Sequence, residues 1–200
     1  MNARLVVLSI LLAVALAGGA SAEHVIWLEA EQFQDTGGWT ADAQFIDQMG
    51  SPYLLASGMG EPVEDAKTSI RPPAPGPYRV WARSLDWNTE HHPGRFQIIV
   101  GGKPLAHVFG QSGRQGWHWE NGGVVELAGP AELRLRDLAG YYGRCDAIVL
   151  TDALDWTPPA DVAAIERLRV AHGGLGPVET IGPSDVAVIG GGLAGCTAAV

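Results

Sequence analysis

GPYRVWARSLDW, residues 76–87, decides the fold. Tyr78, Val80 and Ala82 fall on one side of an extended chain, and Arg79, Trp81 and Arg83 fall on the other. Such alternation marks a half-buried strand, because successive side chains on a pleated backbone point to opposite faces. The same period runs outward in both directions. Downstream, GRFQIIVGGK (94–103) sets Phe96, Ile98 and Val100 on one face and ends in the turn pair Gly101-Gly102. GGVVELAGPAELRLRDL (122–138) reads as two short strands broken at Gly129-Pro130, and CDAIVLTD (145–152) closes the series. Upstream, HVIWLEAEQF (24–33) opens it. No long helical pattern interrupts these strands. A mainly β fold, an antiparallel sandwich over 23–153, is therefore predicted, with chain enough for its own core. The 27 glycines and 13 prolines supply the turns that such a fold needs.

The texture changes after the sandwich. Thr157-Pro158-Pro159 reads as a helix cap with proline in the first turn, ADVAAIERLRVA (160–171) continues the helix, and Gly173-Gly174 ends it. LGPVETIGPS (175–184) is a linker, so 154–184 is read as helix and linker.

The first 22 residues read as an export signal. Arg4 supplies the positive end, Leu5 to Ala17 is apolar apart from Ser9, and Ala20-Ser21-Ala22 gives the small residues of a cleavage site, so the mature chain starts at Glu23. The apolar run is too short for a membrane span, which needs about 20 residues. Secreted or periplasmic location follows, with no membrane contact after cleavage. Net charge is −9, from 13 basic and 22 acidic residues, and losing Arg4 makes it more negative. Phosphate backbones and anionic lipid repel such a chain, so nucleic acid is set aside as a partner. The two cysteines, Cys145 and Cys196, fall in different proposed units and are read as unpaired.

DVAVIGGGLAGCTAAV (185–200) carries the clearest chemical motif. Val186 to Ile189 is an apolar run of the kind a buried parallel strand needs, and Gly190, Gly192 and Gly195 then fit G-x-G-x-x-G. Gly190 permits the tight turn, Gly192 lets backbone approach a pyrophosphate, and Gly195 lets the helix lie close to the strand. Free N–H groups over Gly190, Gly191, Gly192, Leu193, Ala194 and Gly195 would face the phosphates. The bland alternative is an ordinary glycine loop. The confirming acid belongs about 20 residues further on, past Val200. A single βα unit does not fold alone, because an isolated helix under about 12–15 residues is marginal in water. The chain is thus expected to be the front part of a longer protein, truncated inside the first βα unit of a Rossmann-type domain, and inactive by itself.

VIGGGLAG (188–195) resembles the N-terminal fingerprint of FAD-dependent oxidoreductases with two dinucleotide-binding folds. That resemblance implies FAD as cofactor and an oxidoreductase activity carried by residues downstream. Some members also hold iron–sulfur clusters, for or against which these residues say nothing. WLEAEQF (27–33) and RCDAIVLT (144–151) resemble the first and last strands of galactose-binding-like jelly rolls, a fold common among carbohydrate-binding modules. The second resemblance implies a structural calcium held by Glu29, Glu31 and Asp146; the alternative is a solvated acidic face on an edge strand. GGW, SPYLLASG, PGRF, GWHWENGG and GRCDAIVLT together look like exported bacterial FAD oxidoreductases that carry such a sandwich in front of the flavin domain.

Sugar contacts are sought among aromatic rings. Trp117 and Trp119 share a face if their segment is a strand, and Trp39, Trp87, Tyr141 and Tyr142 fall in expected loops. The bland reading is that most of the seven tryptophans fill the core. His91-His92 reads as a loop pair, since neighbours on a strand point apart. Ser112 in GQSGRQG fails G-x-S-x-G because Arg114 replaces the last glycine. Asp86 and Glu90 near Trp87 mimic a glycosidase pair, but nothing in the sequence fixes their separation. The leading expectation is the front of an exported FAD-dependent oxidoreductase acting on a small-molecule or carbohydrate substrate, with the sandwich as accessory module. The alternative is a non-enzymatic carbohydrate-binding or adhesion module.

Overall fold

The computed structural model describes residues 24–173, together with 182–183, 185–188 and 197. Ten strands follow in order: β1 (Val25–Glu29), β2 (Trp39–Asp42), β3 (Tyr53–Ala56), β4 (Ala66–Ile70), β5 (Gly76–Leu85), β6 (Phe96–Val100), β7 (Lys103–Phe109), β8 (Trp117–Leu127), β9 (Ala131–Asp137) and β10 (Gly143–Thr151). A short helix α1 (Ile46–Met49) lies between β2 and β3, and helix α2 (Val162–His172) follows β10. Every strand pair among the described residues is antiparallel. One sheet runs β2-β3-β10-β5-β8, with β1 sharing the β3 edge of β10. The other runs β4-β9-β6-β7.

The alternation in 76–87 does what it predicted. Tyr78, Val80 and Ala82 face the core between the sheets, where Phe96, Ile98 and Val100 meet them from β6. Gly101 and Gly102 close the β6–β7 hairpin at positive φ, 57° and 78°. Residues 129–130 separate β8 from β9 as expected. No alternation in the sequence marks a strand at β2, β3, β4 or β7. These strands are short or carry prolines and small polar residues. Their pairing comes from neighbours and not from their own alternation. Trp39, expected in a loop, lies on β2 fully inside the core, edge-on to Phe96 at 5.8 Å. Residues 37–39 hold too little periodicity to announce that strand.

The helix differs from expectation at its start. Asp161, not Thr157, is the N-cap, its carboxylate accepting from Ala164 N–H at 2.9 Å. Pro158 and Pro159 keep the preceding segment extended, because proline disfavours helical geometry in the residue before it. Gly173 ends the helix, its N–H donating to the Arg169 carbonyl at 2.7 Å. α2 is also no free linker. Ile165 is buried against Trp27, Ala147 and Val149, so the helix covers the outer face of the first sheet.

Several expectations fall on residues outside the description: the export signal at 1–22, most of the linker, Cys196, and the turn residues Gly190, Gly191, Gly192, Leu193, Ala194 and Gly195. Of the strand expected at 186–189, Val186 and Val188 are exposed and 186–188 form no strand. A parallel strand needs neighbours to cover both faces, and the described residues offer it none. Cys145 is a free, buried thiol. Among the described residues, no helix is long and apolar enough to cross a membrane.

Candidate functional site

Four loops gather at one end of the sandwich. The register puts the start of β10 beside the end of β3 (Gly143 opposite Ala56) and beside the end of β5 (Cys145 opposite Ser84). The same end receives the start of β8 (Trp117 opposite Leu85) and the start of β6 (Phe96 opposite Asp137 and Phe109). Residues 57–65, 86–95, 110–116 and 138–142 therefore meet there. The three non-glycine residues with positive φ among the described residues, Met59, His92 and Tyr142, all lie on these loops. Non-glycine residues held in the left-handed region cluster at functional sites.

Aromatic rings crowd this end. Trp87 is the one tryptophan of seven left exposed, at 40%, and Tyr141 and Tyr142 are exposed beside it. Trp87 meets Tyr142 edge-on at 5.8 Å and donates its Nε1–H to the Tyr141 carbonyl at 3.1 Å. The Arg144 guanidinium stands 5.7 Å from the Trp87 ring and 5.8 Å from the Tyr142 ring, and donates to the Tyr142 carbonyl at 3.0 Å. Gly94 makes room for this, since a Cβ there would come within 3.0 Å of the Trp87 ring.

Beside Trp87 lies a cleft of about 350 Å³, lined by Gln48, Asp86, Thr89, Gln115 and Trp117 among others. Asp86 is buried and pins two loops together. Its Oδ2 accepts from Gly113 N–H at 2.8 Å and pairs with His92 Nδ1 at 2.7 Å. Asp86 Oδ1 and Trp117 Nε1 are buried without a partner. A larger hollow, about 640 Å³, opens at the opposite end between the β6–β7 and β8–β9 turns. It is lined by no aromatic residue.

The other expected aromatics are placed differently. Trp117 and Trp119 do share the outer face of β8. Trp119 is committed to packing, edge-on to Trp27 at 5.7 Å, with its Nε1–H given to the Pro159 carbonyl at 3.1 Å. Helix α2 packs against this face through Ile165, a contact that no local pattern announces. Trp117 packs on Tyr53 at 4.9 Å while still lining the cleft. Of the histidine pair, His92 holds Asp86 and His91 is exposed. Of the two carboxylates near Trp87, Asp86 is buried and bonded to Gly113 and His92, and Glu90 is exposed.

The three carboxylates expected to hold calcium lie on the other side of α1, in a different setting. Glu29 Oε1 receives Trp27 Nε1–H at 2.7 Å and Arg169 Nε–H at 2.5 Å. A bulge between Cys145 and Ile148 lets Asp146 turn outward. Its Oδ2 receives Arg83 at 2.9 Å, and its Oδ1 receives the Ser51 hydroxyl at 2.7 Å and Arg169 at 3.4 Å. Among the described residues, no group of three or more His, Cys, Asp or Glu is arranged for a metal ion. Calcium takes six to eight oxygens; Glu29 Oε1 and both oxygens of Asp146 are already engaged, and Glu29 Oε2 and Glu31 Oε2 are buried without a partner, so these residues as arranged do not fit the ion.

Burial raises Glu29 and Asp146 above the usual carboxylate range, against the pull of their arginine partners. Glu31 has no bonded arginine, and the Arg169 charge is the weakest of the named influences on it. Burial, with the charges of Glu29 and Asp146 adding to it, pushes Glu31 from 4.5 up to about 8. The folded chain thus holds a proton that the unfolded chain releases above about pH 4.5, and stability falls as pH rises toward 8. Glu31→Gln is expected to stabilise the fold by about 1–2 kcal/mol at pH 8.5 after discounting partial exposure, and by little at pH 4.5. Thermal melts of both proteins at the two pH values check this.

Comparison with solved structures bears on this architecture. The family 35 carbohydrate-binding module of Clostridium thermocellum superposes on 64% of this chain and 97% of its own, at TM-score 0.51 and 17% identity. The family 35 module of Cellvibrio japonicus Abf62 matches over 64% of this chain and 92% of its own, at TM-score 0.51 and 14% identity. The fold is a carbohydrate-binding-module-like β-sandwich. The Podospora anserina GH26-CBM35 β-(1,4)-mannanase matches at 22% identity and TM-score 0.50 over 64% of this chain, which spans 27% of the length of that enzyme. No protein-family model and no curated protein matches the chain.

Proposed function

We propose that the sandwich is a carbohydrate-binding module whose ligand lies at the loop end, across Trp87 and into the cleft beside it. The observation that carries this is Trp87 itself, exposed and held in place next to a cleft with two unsatisfied buried polar atoms. Trp87, Tyr141 and Tyr142 are exposed together, and an exposed apolar patch rimmed by polar residues marks a binding site where a single exposed ring would not. A pyranose offers an apolar C–H face for the rings of Trp87, Tyr141 and Tyr142, and hydroxyls for Gln48, Thr89 and Gln115. Concave sites with a few polar groups among aromatic walls are the usual form of small-ligand pockets. The family 35 modules of similar fold, one of them in a β-(1,4)-mannanase, support the same reading. An exported chain meets polysaccharides directly. The test is binding of the purified protein to a panel of polysaccharides that includes β-1,4-mannan. Retention on at least one is expected, and silence across the panel rules against the proposal.

A second reading concerns what the module serves. The G-x-G-x-x-G at Gly190, Gly192 and Gly195 favours an exported FAD-dependent oxidoreductase with the sandwich as its accessory. FAD would supply the redox chemistry, and Gly190 to Gly195 would hold its pyrophosphate. Gly192→Val, made in the product of the full reading frame, is expected to abolish flavin retention. A yellow, fully loaded variant contradicts this reading without touching the first.

A further inference from the structure

We infer that the Arg169 guanidinium takes the place of a structural cation among the sandwich carboxylates, so that helix α2 fastens this fold without calcium. Arg169 is 3% exposed, although it sits on a helix outside both sheets. It donates through Nε to Glu29 at 2.5 Å, through Nη1 to the Met49 carbonyl at 3.1 Å, and through Nη2 to Ser51 Oγ at 2.7 Å. Nη2 also lies 3.4 Å from Asp146 Oδ1, and the guanidinium carbon lies 5.8 Å from the Trp27 ring. One side chain thus ties together β1, the turn after α1, β10 and α2, segments up to 140 residues apart.

The donor set explains why a guanidinium fits and a dication does not. Glu29 and Asp146 are buried anions, and Arg83 and Arg169 are buried cations, so the formal charges cancel. Both oxygens of Asp146 are engaged, as is Glu29 Oε1. The buried carboxylate oxygens left without partners are Glu29 Oε2 and Glu31 Oε2, so a calcium ion, which takes six to eight oxygens, would have to draw most of its shell from carbonyls or waters or displace the arginines. A dication placed there would also stand beside two fixed positive charges. The planar fork of arginine, always charged, reaches several acceptors at once, which suits it to this role.

The consequence is that α2 belongs to the sandwich. Its orientation is set by a buried ionic contact, and it gives whatever follows residue 173 a fixed point of departure from the module.

Thermal melting of the chain with millimolar calcium chloride, and separately with excess EDTA, tests the inference, alongside Arg169→Gln. The midpoint of the unaltered protein is expected to move by less than about 1 °C between the two conditions. Arg169→Gln is expected to lower it by about 10 °C or more, or to prevent folding outright, since a broken buried ion pair is strongly destabilising. A midpoint that falls in EDTA and returns with calcium overturns the inference, because an ion would then be doing this work. So does an Arg169→Gln variant that melts with the unaltered protein.

Discussion

Asp146→Asn is expected to lower the thermal midpoint by roughly 10–15 °C, measured by calorimetry near neutral pH. The carboxylate is fully buried and receives three groups: Arg83, Arg169 and the Ser51 hydroxyl. An amide of the same shape still accepts at one oxygen. Its –NH2 group, however, turns two donors toward guanidinium groups that also only donate. Two buried cations then share one counter-charge, Glu29. Breaking a buried pair costs about 3–5 kcal/mol, because the remaining charge has no water to turn to. For a domain of this size each kcal/mol moves the midpoint by about 2–4 °C. Arg83 and Arg169 approach Asp146 from different elements, so the loss falls on the join between sheet and helix. A variant that melts within about 2 °C of the parent would mean that the network adds nothing net to stability, as some buried pairs do not.

Trp87→Ala is expected to weaken carbohydrate affinity by about 30-fold or more, with the fold intact. Exposed tryptophans at the centre of a binding surface contribute about 2 kcal/mol or more when they are rigid before the ligand arrives. Trp87 meets that condition, fixed by its bond to the Tyr141 carbonyl, the Tyr142 ring and the Arg144 guanidinium. It contributes little to the core, so its loss is expected to change the midpoint only slightly. Trp119→Ala makes the opposite profile. That ring packs on Trp27 and bonds to Pro159, so its removal opens a hole under α2 and lowers stability while binding survives.

The sandwich was legible where single strands carry their own alternation, as in β5 and β6, and where glycine pairs fix a turn. It was not legible in β2, β3 and β4, which are four or five residues long and gain their conformation from partners. The loop aromatics Trp87, Tyr141 and Tyr142 could be named from sequence. Choosing among aromatics could not be done, because what engages Trp119 is Pro159, 40 residues downstream, and the strand residue Trp27. Arg169 left the faintest trace. It lies four residues after Ile165, so the two share a helix face, and an arginine on an apolar stripe is the only local sign of its burial. Its partners Glu29 and Asp146 belong, with Glu31, to the carboxylates that the resemblance to galactose-binding-like jelly rolls brings together. That Arg83 and Arg169 meet them has no signal in the sequence, since nothing local says which of 13 basic residues a fold will bring to them.

The most direct measurement is isothermal titration of the polysaccharide best retained in the panel into three proteins: the parent, Trp87→Ala and Trp119→Ala. Binding by the parent and by Trp119→Ala, with the signal lost in Trp87→Ala, is the expected result. Binding that survives in Trp87→Ala and disappears in a folded Trp119→Ala would place the ligand on the sheet face under α2 and contradict the loop-end site.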